Sequence, residues 1–157
     1  MRVNIKLIVI LFIAGITGVT SCKKDIPQHN IPKEEDLVAG RISGTWAMPS
    51  NMVTPANVPP DVFGTMRLVF TTDEAGKPAK FMAQNSPIIF GNTGIGSWTV
   101  AGTQDSALVN LVGVGPVDEV KVKVTTSTLT LSFFMGWENT DTKATGQGDF
   151  SVTLTRQ

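Results

Sequence analysis

Apolar and polar residues alternate one for one along much of the chain from residue 42 to its end. The pattern is cleanest in three C-terminal runs. Val120, Val122 and Val124 fall on one side and Lys121 and Lys123 on the other; Leu129, Leu131 and Phe133 repeat it, as do Phe150, Val152 and Leu154. A period of two is that of a β-strand, whose successive side chains point to opposite faces. One apolar and one polar face marks a sheet with one side toward water, which is the antiparallel kind. Strands are predicted over residues 42–48, 65–72, 78–84, 96–102, 106–113, 117–125, 128–135 and 149–156.

The connections between these runs are mostly short. Asp73-Glu74-Ala75-Gly76 supplies a glycine for positive φ at a hairpin turn, and Thr125-Thr126-Ser127 is short enough for another. The pattern predicts an all-β fold, an eight-stranded antiparallel barrel, with a β-sandwich as the alternative; closure removes strand edges that would otherwise aggregate. A doubly wound α/β fold is excluded, because nothing supplies the crossover helices that parallel strands need. Ahead of the first strand, PKEEDLVA at 32–39 has proline at a helix start, acids in the first turn and Gly40 as a stop. One or two helical turns are expected, too short to stand alone and therefore packed on something else.

A barrel of this size has an interior just wide enough to be filled by side chains or to hold one small ligand. Phe70, Phe81, Trp98, Leu131 and Phe133 have the bulk to fill it.

The N-terminal segment departs from the strand pattern. Arg2 and Lys6 precede an apolar run from Leu7 to Val19, short of the roughly 20 residues a membrane span needs. A charged start, a short apolar middle and small residues before a break describe a secretory signal. The break, Val19-Thr20-Ser21-Cys22, resembles the lipobox of bacterial lipoproteins. The resemblance implies cleavage before Cys22 and attachment of lipid to its thiol, with the membrane as partner. The other reading makes Cys22 an ordinary small residue after an ordinary signal, but as the chain's one cysteine it has no intramolecular disulfide partner. Residues 1–21 are thus read as a lipoprotein signal peptide, 22–36 as a lipid-anchored tether and 37–157 as the barrel domain. The tether contains Pro27, Pro32 and the single histidine, His29, so a zinc site of nitrogen and sulfur ligands is not expected.

Lys23-Lys24-Asp25 reads either as solvation beside anionic headgroups or as similar to a surface-export signal of Gram-negative lipoproteins. The absence of Asp directly after Cys22 implies, by the same family likeness, the outer membrane, with the domain periplasmic or surface-facing. Loss of residues 1–21 removes two of 13 basic side chains and none of 13 acidic ones, leaving a formal charge of −2. Nucleic acid is excluded as a partner, since phosphate binding needs a concentrated basic face.

Gly44-Thr45-Trp46, directly after the predicted helical turn, is similar to the glycine-x-tryptophan motif of lipocalin-like barrels. The likeness implies that Trp46 and Arg156 form a structural closing pair, with the guanidinium across the indole. The chain departs from that family in having no tyrosine, hence no threonine-aspartate-tyrosine signature, and no long helix after the barrel.

Three segments are candidate sites. Residues 49–64, with four prolines and Met52, Val53, Val58, Val62 and Phe63, are long enough to be a semi-rigid lid at the barrel entrance, or a loop packed on the wall that binds nothing. Residues 135–148 carry Trp137 followed by Glu138, Asn139 and Asp141, a set suited to stacking on a sugar face and bonding its hydroxyls, or else a rim cover. The acids there lack the spacing of a calcium loop. Residues 90–98, FGNTGIGSW, lack a phosphate-loop ending and lead into a strand, so their glycines are read as a bend or bulge. The domain has no histidine or cysteine, and Asp118 and Glu119 are expected on opposite faces, so no catalytic residues, metal or cofactor are predicted.

The expected function is that of a lipid-anchored envelope protein acting as a non-catalytic binding or accessory module for a small apolar ligand or a glycan. The alternative is a structural or interaction subunit with a packed barrel that docks another envelope protein through residues 49–64.

Overall fold

The computed structural model describes residues 32–91 and 94–157; the signal, Cys22, and the tether through Ile31, with Lys23, Lys24, Asp25 and His29, lie outside them. Eight strands follow in order: β1 Gly44–Val53, β2 Arg67–Thr72, β3 Pro78–Gln84, β4 Ile95–Thr103, β5 Ser106–Val112, β6 Glu119–Val124, β7 Thr128–Glu138 and β8 Thr145–Arg156. Each pairs with the next, and β8 pairs antiparallel with β1, so the sheet is an eight-stranded closed barrel rather than a sandwich. Helix α1, Glu34–Ile42, leads into β1; a 3-10 turn, Pro60–Phe63, lies between β1 and β2; and α2, Pro87–Phe90, lies between β3 and β4.

This up-and-down order gives the barrel two unlike ends. At the base, where β1 begins and β8 ends, tight turns join β2 to β3, β4 to β5 and β6 to β7. The first is held by Asp73, whose Oδ1 accepts the Ala75 and Lys77 N–H groups at 2.9 and 2.8 Å, with Gly76 at φ +78°. At the last, the Thr125 hydroxyl oxygen accepts the Thr128 N–H at 2.9 Å. At the opposite end, the mouth, the longer connections lie together: residues 54–66, 85–91, 113–118 and 139–144.

Inward-facing side chains fill the space between. Phe70, Phe81, Trp98, Leu131 and Phe133 are all buried. The aromatic rings form two groups: in one, Phe70 lies 4.9 Å from Phe81 and 5.1 Å from Trp98, and Phe81 lies 5.4 Å from Phe90; in the other, Phe133 stacks on Phe150 at 5.5 Å. The Trp98 indole N–H donates to the Thr71 carbonyl at 2.9 Å, so the ring's polar atom is satisfied. Burying each such ring contributes about 1.5–3 kcal/mol.

The structure moves several predicted boundaries. The first strand begins at Gly44 rather than residue 42, because α1 runs through Gly40 to Ile42, which is buried against the barrel base. Gly40 is therefore no stop; the helix ends where the Ser43 N–H bonds the Ala39 carbonyl at 2.8 Å. Its first residues, Glu34–Asp36, belong to the helical turn expected over 32–39, which overlaps the end of the tether. At its far end β1 extends through Val53, paired to β8 by Ser50 with Thr153 and Val53 with Ser151 across two register shifts. Met48 and Asn51 take positive φ values of 59° and 48°, which bend the strand without ending its pairing. Asp118 precedes β6 and is exposed, as is Glu119 on the outer face, so the two do not part to opposite faces.

The glycines of residues 90–98 make bends, as predicted. Gly94 has φ +53°, and a Cβ on Gly96 would sit 2.1 Å from the Val112 carbonyl oxygen, so only a bare backbone lets β4 approach β5 there.

Candidate functional site

The base is built around Trp46. Its side chain is fully buried, its indole N–H donates to the Ile42 carbonyl at 2.7 Å, and the Arg156 guanidinium lies over the ring with 4.2 Å to its centroid. Arg156 donates Nε to the Thr126 carbonyl at 3.1 Å, Nη1 to the Ser43 carbonyl at 2.9 Å and Nη2 to the Arg41 carbonyl. The last two acceptors lie at and just beyond the helix C-terminus, where a cation is favoured. One side chain thus ties α1, the β6–β7 turn and β8 together over the indole. Gly44 supplies the room: its φ is +137°, and a Cβ there would fall 2.7 Å from Nη1 of Arg156. This end of the barrel is closed and structural.

The mouth holds the other sequence-predicted residues, and it divides them. Met52 and Val53 do not belong to a lid: both lie on β1 and face solvent, 39% and 57% exposed. Phe63 goes the other way, wholly buried, with its edge on Phe133 and on Phe150 at 6.5 Å each. Together with Met66, Ile89 and Phe90, all buried, it stoppers the barrel from above. Val58 and Val62 are half-buried on top of that stopper.

Val58 and Val62 meet Trp137 at a shallow cleft of about 120 Å³, lined also by Pro59, Ile88 and Met135. Trp137 is seated by a glycine: a Cβ on Gly146, its cross-strand partner, would fall 2.6 Å from Cζ2 of the indole. A Cβ on Gly148 would likewise strike the Pro55 ring at 2.7 Å. The two glycines of β8 are therefore the seats on which the mouth is assembled. The Trp137 indole N–H is buried without a hydrogen-bond partner among the described residues. Gly146→Ala is expected to lift the indole off its seat, lowering stability by about 1–3 kcal/mol and red-shifting the tryptophan emission. An unchanged spectrum and melting curve would show that the seat is not tight.

The polar groups after Trp137 are tied in part to their own hairpin. Glu138 pairs with Lys143 at 3.6 Å, and Asn139 Oδ1 accepts the Asp141 and Thr142 N–H groups at 3.0 and 2.9 Å. Glu138 and Asn139 thus brace the β7–β8 hairpin and at the same time line the cleft beside Trp137. The structure thus brings together Val58 and Trp137 of the candidate residues and sends Met52, Val53 and Phe63 elsewhere. Ile88, 61% exposed on the rim, was missed: α2 is a four-residue turn, too short to leave a periodic signal.

Among the described residues no group of three or more His, Cys, Asp or Glu side chains converges as a metal site. The fold and these two ends define a class of protein: a small closed barrel with a filled interior. Compared with protein-family models, curated proteins and solved structures, the chain matches none.

Proposed function

We propose that this protein is a lipid-anchored module of the bacterial outer membrane, lipocalin-like in its barrel, that acts without catalysis and binds through its outside. The observation that carries the reading is the filled interior. The volume in which a lipocalin-like barrel would hold an apolar ligand is occupied from Trp46 at the base to Phe63 and Phe90 at the mouth. The mouth cleft, at about 120 Å³, is well below the roughly 300–1,000 Å³ of small-molecule pockets. It suits a single apolar side chain of a docking partner, which favours the reading of an interaction subunit that meets another envelope protein at residues 57–62 and Ile88.

The anchor rests on the lipobox resemblance, with Cys22 as the acylated residue. Two or three acyl chains hold a protein firmly where one does not, since each buried methylene contributes about 0.8 kcal/mol. Cys22→Ala is expected to abolish incorporation of labelled palmitate and to leave an unprocessed or soluble product; retained label would remove the anchor from the account.

A further inference from the structure

We infer that the outer wall of β6, β7, β8 and the end of β1 carries a glycan-binding site, centred on Phe134 and separate from the mouth. Phe134 is directly opposite Asp149 across the β7–β8 pair, and Ser132 is opposite Ser151. On the other side Lys121 is opposite Ser132, so Glu119, two residues earlier on β6, falls beside Phe134, two residues later on β7. The outward face therefore presents two rows at strand spacing, about 4.8 Å apart along each row. The upper row is Glu119, Phe134, Asp149. The lower is Lys121, Ser132, Ser151, continued by Val53, which pairs with Ser151.

These residues line a concavity of about 380 Å³, within the range of small-ligand sites. Phe134 is 59% exposed in it, an aromatic plane presented to water at some cost. Neither Glu119 nor Asp149 forms an ion pair among the described residues. The Ser151 hydroxyl donates to the Leu131 carbonyl at 3.0 Å, so the 3.2 Å contact between Ser151 and Ser132 has Ser132 as donor. Both hydroxyl protons are thereby used inside the wall. What faces outward is a set of acceptors, two carboxylates and the serine oxygens, with the Lys121 ammonium as a donor at one corner.

An acceptor-rich rim around an aromatic plane is complementary to a ligand with an apolar face and many hydroxyl donors, which is a pyranose. The two carboxylates disfavour an anion, so the glycan is neutral or amino-substituted. A protein partner fits less well, because the apolar part of the concavity is one ring beside Val53, whereas a protein interface wants an apolar core within roughly 800 Å² per partner. Of the other exposed apolar residues of the strands, Met48 and Met52 lie on β1, and Met82, Ile95 and Val112 on β3, β4 and β5.

The test is binding of the detergent-extracted full chain to defined neutral oligosaccharides of glucose, mannose and N-acetylglucosamine, followed by saturation-transfer NMR and titration. At least one series is expected to bind, with Phe134→Ala weakening it about tenfold or more, Asp149→Asn weakening it, Phe134→Trp retaining it and Trp137→Phe leaving it unchanged. Thermal melts check that each variant is folded, and Phe134 and Asp149 are exposed, so both substitutions leave the core intact. Binding by none of the three series overturns the inference. So does binding that survives Phe134→Ala or is lost in Trp137→Phe.

Discussion

Trp46→Ala is expected to lower the unfolding free energy by about 3–5 kcal/mol, the usual cost of truncating a large buried aromatic. The loss has several parts. The ring is wholly buried at the base of the barrel. Its removal also leaves the Ile42 carbonyl without the 2.7 Å bond from the indole N–H. Arg156→Ala alone should cost about 1–3 kcal/mol, from the carbonyls of Thr126, Ser43 and Arg41 that lose a charged donor. Because the guanidinium lies 4.2 Å from the ring centroid, the double variant should fall short of the sum by about 0.5–2 kcal/mol. Urea unfolding of the four proteins gives the coupling; strict additivity would show that indole and guanidinium do not interact.

Phe63→Ala is the second substitution expected to cost about 3–5 kcal/mol, and it has a consequence the first lacks. Phe63 is the wedge between the mouth and the Phe133–Phe150 stack. Removing it leaves a void lined by those rings, and a dry apolar void of that kind takes up small apolar molecules. The variant should therefore gain what the natural protein lacks. Saturating benzene is expected to raise the melting temperature of Phe63→Ala and not that of the unaltered protein, since a ligand stabilises the folded state that binds it. An equal rise in both would mean that the barrel already has room.

Much of the barrel was legible in the sequence because its strands are amphipathic and its turns carry turn residues. Val120, Val122 and Val124 announce an inward face, and a one-residue slip would expose all three. The base was legible too: a glycine two residues before a buried tryptophan, and an arginine at the end of the last strand, are what the closing geometry requires. What escaped detection did so for identifiable reasons. Pro49 and Asn51 look like loop residues, yet β1 passes through them, because positive φ at Met48 and Asn51 bends the strand while it stays bonded to β8. Thr145–Gly148 has no apolar alternation; there the strand is shaped by what it must not carry, since Trp137 and Pro55 occupy the Cβ positions of Gly146 and Gly148. Most of the fold's surface chemistry was invisible for a more general reason. Glu119, Phe134 and Asp149 become neighbours only when three strands are set in register, and register is a property of the closed sheet rather than of any one segment.

The same point explains the fate of the mouth residues. Residues 49–64 read as one apolar, proline-rich lid, but the closure of β1 onto β8 claims the first five, the core claims Phe63, and Val58 and Val62 are left to form the cleft with Trp137. A lid that is itself part of the core cannot swing open without pulling Phe63 away from the stacked Phe133 and Phe150 rings. The proposed recognition at the rim and the wall needs no such opening.

Native mass spectrometry of the detergent-extracted protein tests this most directly. The predicted result is the mass of the processed, acylated chain with no small apolar molecule retained. A stoichiometric apolar adduct that survives detergent removal and is released only on unfolding would contradict it.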